Sequence, residues 1–110
     1  MSTTDTAVTR RVLDEVMDER IRQDLKWGEQ NHPDGTGPYA FHIHITGVAD
    51  RYRQECESAA AVGECTFRHI LMEEVWEAAA EADPAKLRAE LIQVAAVAAA
   101  WAEAIDRRQS

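Results

Sequence analysis

Apolar residues recur at helical intervals along most of the chain. Leu13, Val16, Met17, Ile21 and Leu25 follow a period of about 3.6, which predicts a first helix from Asp5 to Gln30, clearest over Val12 to Trp27. Turn-forming residues then crowd together (Gly28, Asn31, Pro33, Asp34, Gly35, Gly37 and Pro38) and predict a loop. From Tyr39 to Thr46 the pattern alternates, with Phe41, Ile43 and Ile45 set against His42 and His44. A lone strand has nothing to pair with, so this stretch is read as an extended connection or the beginning of the second helix. Gly47 to Ala61 is helical and moderately amphipathic. Gly63 stops it, and Thr66 caps a third helix from Phe67 to Ala82. Asp83 and Pro84 then supply an N-cap and a first helical position for a fourth, which runs to about Arg107. No repeat or low-complexity tract intervenes, so residues 1–110 read as a single all-α domain of four helices.

Two of these helices carry carboxylates where apolar side chains belong. On the third, Phe67, Ile70, Leu71, Val75 and Ala78 mark the apolar side. At about 100° per residue, Glu74, Glu77 and Glu81 fall within an arc of roughly 60° that borders this side rather than opposing it. On the fourth, Leu87, Val94, Val97, Trp101 and Ile105 form a stripe; Glu90 points into its middle and Gln93 sits at its edge. Gln93 is the only polar residue from Leu91 to Ala102, which predicts a central helix covered on most sides. An ionised carboxylate there is costly unless something neutralises it. Arg20 and Asp24 lie in the apolar stripe of the first helix, so an Arg20–Glu90 or Arg20–Asp24 pair is the ordinary solution. The inward carboxylates outnumber what one arginine balances, however, and a divalent cation with oxygen ligands fits the excess.

Composition sharpens this picture. Twenty acidic residues against 12 basic ones leave a net charge of −8, which argues against a nucleic-acid-binding face and suits hard cations such as Mg²⁺. Hydrophobic residues make up 45%, enough to bury a core. The best apolar run, Val94 to Ala102, is far below the roughly 20 residues of a membrane span. Met1 to Arg11 is polar and lacks the apolar stretch of a secretory signal, so a cytoplasmic location with no membrane contact is expected. Cys56 and Cys65 make neither a disulfide framework nor a metal box and read as reduced thiols.

Glu73-Glu74-Val75-Trp76-Glu77 forms an EExxE run, and Glu90-Leu91-Ile92-Gln93 follows after twelve residues. This resembles the ExxE…ExxD signature of the MazG-like, all-α nucleoside triphosphate pyrophosphohydrolases. The stretch from Arg22 to Pro33, RQDLKWGEQNHP, is similar to the segment that precedes the signature in phage and actinobacterial members. The resemblance implies a four-helix MazG-like bundle completed by oligomerisation, as a homodimer or homotetramer. It implies hydrolysis of a (d)NTP to the monophosphate and pyrophosphate, with Mg²⁺, or Mn²⁺ in its place, as cofactor. Glu74, Glu77 and Glu90 would be metal ligands, with Gln93 at the fourth position. That position is normally Asp, and an amide there brings no charge. Glu74 and Glu77 would carry catalysis with Glu73, which, like Glu81, is placed to accept a proton from the attacking water. Lys26, Trp27 and His32 would contact the nucleotide, Trp27 by stacking on a base and Lys26 by meeting a phosphate. The exchange of Asp for Gln93 leaves an alternative: a catalytically weak or inactive helical interaction module of the same fold.

Other features are plainer. His42 and His44 form an HxH pair without a third ligand at useful spacing. Met17, Met72, Trp76 and Trp101 read as core or subunit-contact residues. An apolar fourth helix and an exposed Trp76 add to the expectation of an oligomer.

Overall fold

The computed structural model describes residues 3–40 and 42–109. Four helices dominate it: α1 (Thr3–Trp27), α2 (Ile45–Ala61), α3 (Phe67–Ala80) and α4 (Pro84–Gln109). Between α1 and α2 lies a small antiparallel pair, β1 (Tyr39–Ala40) and β2 (Ile43–His44). Among the described residues, regular structure is therefore helical apart from this pair.

Helix ends follow local hydrogen bonding. Gly28, at φ 70, donates its N–H to the Asp24 carbonyl and ends α1 three residues before the expected Gln30. Gly63, at φ 72, and Glu64 donate to the carbonyls of Ala60 and Ala59, the paired bonds of a Schellman stop after α2. Thr66 caps α3 through a reciprocal box: its Oγ1 accepts from His69 N–H, while its own N–H donates to His69 Nδ1. At the other end α3 closes at Ala80 rather than Ala82, because Glu81 turns to extended backbone. Asp83 Oδ2 accepts from Lys86 N–H at 2.9 Å and Pro84 opens α4, which ends with Arg107 and Arg108 in its last turn.

The alternating stretch has a partner that period-two reasoning did not supply, namely itself. β1 and β2 run antiparallel, so that Tyr39 pairs with His44 and Ala40 with Ile43. His42 takes the positive φ of 65 that this reversal requires, and the Tyr39 and His44 rings stack with centroids 4.9 Å apart. Phe41, part of the alternation, lies outside the described residues. The Pro38 carbonyl accepts from both Ile45 and Thr46, so the hairpin rather than a capping side chain satisfies the start of α2.

The chain divides into two compact units, one comprising Met1–Pro33 with Ala99–Ser110 and the other Asp34–Ala98. In the first, Val12 of α1 and Ala99 of α4 are buried, and Thr9 donates to Glu103 Oε1 at 2.6 Å. The α1 apolar stripe is solvent-facing: Met17 is 60% and Leu25 83% exposed, and Leu13, Val16 and Ile21 are exposed with them. Arg20 and Asp24 are correspondingly exposed, and Arg20 donates to Gln23 on its own helix at 2.8 Å. The expected buried arginine on this helix is thus a surface residue.

In the second unit α2 packs against α3, and Ile45, Ala49, Ala78 and Leu87 are buried. Trp76, expected to be exposed, is half-buried and stacks on Tyr52 with ring planes 8° apart. The middle of α4 departs from the expectation of a helix covered on most sides. Leu91 is 50% and Ile92 57% exposed, and Gln93, Ala95, Ala96 and Ala98 are exposed as well. Hydrophobic periodicity specifies which face is apolar; what covers it depends on elements the periodicity does not contain. No helix among the described residues is long and apolar enough to cross a membrane.

Candidate functional site

The second unit brings three carboxylates from two helices to one point. Glu74 and Glu77 are one turn apart on α3, so their side chains share an edge. Glu90 reaches them from the second turn of α4. One carboxylate oxygen from each lies within 4.8 Å of the other two. All three residues are partly buried, and no other group of three His, Cys, Asp or Glu side chains meets so closely among the described residues.

Their electrostatics are unfavourable as they stand. Glu74 Oε2 and Glu90 Oε2 are shut off from solvent and, among the described residues, have no hydrogen-bond partner. Burial pushes the Glu74 carboxyl above its ordinary range, and repulsion from Glu77, Glu90 and Glu73 adds to this. Glu77 is raised too, by burial first and then by Glu73 and Glu90, while Arg53 pulls in the opposite direction. Native interiors seldom leave buried carboxylate oxygens without donors. A hard cation with oxygen ligands at about 2.1 Å would satisfy both orphaned atoms and offset the repulsion, so the donor set fits such an ion.

Beside the triad is a cavity of about 260 Å³ lined by Thr46, Ala49, Asp50, Arg53, Glu77, Ala80, Glu81 and Glu90. Arg53 is the one basic residue on that wall. Its Nη1 donates to Asp50 Oδ1 at 2.9 Å, and its Nε stands 3.6 Å from Glu77 Oε1. The Asp50 hydrogen bond, helped by the charges of Asp50 and Glu77, raises the guanidinium still further. The α2 contribution was not anticipated from sequence. Thr46, Asp50 and Arg53 recur at i, i+4 and i+7, a polar row beside the buried Ala49, and that spacing is the signal that marks it.

The remaining residues singled out from sequence fall as follows. Glu73 is half-buried on α3, close enough to the Cys56 thiol of α2 to act on it. Burial, then Glu73 and the neighbouring Cys65, push that thiol up to about 12. Glu81 lines the cavity, and its Oε1 accepts from Asp83 N–H at 3.2 Å. Gln93, a turn beyond Glu90, is exposed. In the first unit, Lys26 Nζ lies 4.8 Å from the centre of the Trp27 ring, a cation–π contact between two exposed side chains, and His32 is exposed in the loop that follows. His42 and His44 belong to the hairpin, where His44 is engaged with Tyr39.

Comparison with protein-family models, with curated proteins and with solved structures finds no match for this chain.

Proposed function

We propose that this protein is a Mg²⁺-dependent nucleotide pyrophosphohydrolase of the MazG-like type, cleaving a nucleoside triphosphate to the monophosphate and pyrophosphate. The observation that carries the reading is the convergence of Glu74, Glu77 and Glu90, with two buried oxygens that lack donors. These three residues would hold the ion. When bound, it supplies charge neutralisation for a triphosphate and acidifies a coordinated water.

The chain's own residues have distinct tasks in this scheme. Glu74 and Glu77, fixed one turn apart, set where the negative oxygens stand. Glu81 lines the cavity, and Glu73 precedes Glu74 on α3; either carboxylate serves as acceptor for the proton of the attacking water. Arg53 faces the cavity and offers donors to a phosphate oxygen once Glu77 is engaged by a cation. Lys26, Trp27 and His32 are assigned to the nucleotide base and phosphates through the family resemblance. The exposed α1 stripe is assigned to subunit association in a homodimer or homotetramer, because a single chain leaves Met17 and Leu25 in water.

A panel of nucleoside triphosphates incubated with Mg²⁺ tests the reading. Stoichiometric monophosphate and pyrophosphate from at least one substrate is expected. Orthophosphate release, or no turnover of any nucleotide, overturns it. The exposed, uncharged Gln93 favours a second reading, an inactive helical module of the same fold. That module would turn over nothing.

Arg53→Gln separates a ligand-binding role from a purely structural one. Removing a positive charge beside Glu77 is expected to strengthen Mn²⁺ binding several-fold. The same variant should weaken metal-dependent binding of pyrophosphate about tenfold, or about 1.4 kcal/mol. Calorimetry with each ligand in turn reads both numbers. Parallel losses of metal and pyrophosphate affinity would show that Arg53 only pins α2 to α3.

A further inference from the structure

Cys56 and Cys65 stand apart from the acidic cavity, and nothing in the proposed reaction uses them. The Schellman stop at Gly63 reverses the chain after α2 and lays Cys65 back against the helix it has just left. The two sulfurs are 3.7 Å apart. Cys65 is exposed and Cys56 half-buried, so one thiol meets reagents from solvent while the other waits beneath it. A disulfide requires the sulfurs to close from this separation to about 2.05 Å. Cys65 also sits immediately before Thr66, the cap of α3. The pair therefore adjoins the start of α3.

We propose that Cys56 and Cys65 form a redox modification site that closes to an intramolecular disulfide by exchange with a small-molecule disulfide such as oxidised glutathione. The exposed Cys65 thiolate attacks one sulfur of the reagent, whose S–S bond breaks and whose second sulfur leaves as a thiolate that takes up a proton. Cys56 then gives up its proton and attacks the Cys65 sulfur of the mixed disulfide, expelling the second small thiol. Two electrons and two protons pass from the protein to the reagent, and one protein S–S bond replaces the one consumed. Closure ties the last turns of α2 to the residue that precedes the α3 cap. Cys65 reacts first because it is exposed, whereas Cys56 is half-buried.

The full-length chain treated with oxidised glutathione under native conditions provides the test, read by intact mass and peptide mapping. Expected are a monomeric chain lighter by two hydrogens, a cross-linked peptide joining Cys56 to Cys65, and full reversal by a dithiol reductant. Cys56→Ser should stall at a stable glutathione adduct on Cys65, and Cys65→Ser should leave Cys56 unmodified. A stable adduct on the unsubstituted chain, a disulfide between two chains, or no oxidation would each overturn the proposal. None of these outcomes depends on whether the acidic triad binds a metal.

Discussion

Glu74→Gln is expected to make the protein more stable and, at the same time, inactive. The carboxyl it removes is partly buried, has one oxygen without a donor, and faces the charges of Glu77, Glu90 and Glu73. The introduced amide is neutral and brings N–H donors toward the Glu77 and Glu90 oxygens, which converts repulsion into hydrogen bonding. Melting temperature in metal-free buffer should rise by a few degrees, a shift of about 4–8 °C corresponding to 1 kcal/mol in a chain of this size. Cation affinity should fall at least tenfold, about 1.4 kcal/mol, and pyrophosphate release on the order of a hundredfold. Glu77→Gln should show the same loss of function with a smaller gain in stability, because it also forfeits the Arg53 ion pair. Thermal unfolding, cation titration and product release measured on the same preparations check all three effects. Full activity in either variant would place the chemistry elsewhere.

The second large effect is an inversion of pH dependence by metal. Both Glu74 and Glu77 are raised above the ordinary 4.5 in the folded chain, through burial first and then repulsion from neighbouring glutamates, Glu73 and Glu90 in both cases. An acid whose folded pKa exceeds its unfolded value holds protons more tightly when folded. The metal-free protein is therefore most stable below 4.5 with respect to these two groups and loses that stability as pH rises through their raised values. A cation demands ionised carboxylates, so its stabilisation grows over the same interval. Melting temperature should fall with rising pH in chelator and rise with pH in excess Mg²⁺ or Mn²⁺. At a hundred times Kd the added stability is about 2.7 kcal/mol. Coincident curves with and without metal would mean that the triad holds no ion, and the reading of the chain as an inactive helical module would then stand.

Much of the architecture is legible in the residues themselves, and the reason differs from feature to feature. Thr66, Gly63 and the Asp83–Pro84 pair mark helix ends because capping is a matter of hydrogen bonds over three to five residues. The edge shared by Glu74 and Glu77 is likewise legible, since helix geometry alone puts residues three apart on one side. The hairpin is less so. Its strands are only two residues long, and His42 takes a left-handed conformation that sequence ordinarily assigns to Gly or Asn. Arg53 escapes the sequence reading for a different reason: its partners Asp50 and Glu77 lie on two different helices, and a polar row on an amphipathic helix looks solvated until a neighbour is placed on it.

The apolar stripe of α1 carries the same lesson with the sign reversed. Leu13, Val16, Met17, Ile21 and Leu25 define a face without defining its cover, and the chain leaves them exposed. What the amino-acid sequence determines by itself is the set of helices, their limits and the polarity of each face, because these depend on torsions and hydrogen bonds between near neighbours. Only the tertiary structure decides that Glu90 meets Glu74 and Glu77, that Arg53 reaches Glu77, and that Cys65 folds back on Cys56. Such approaches are settled by how whole helices and turns pack, a balance of many weak contacts spread over the chain that no short stretch of it contains.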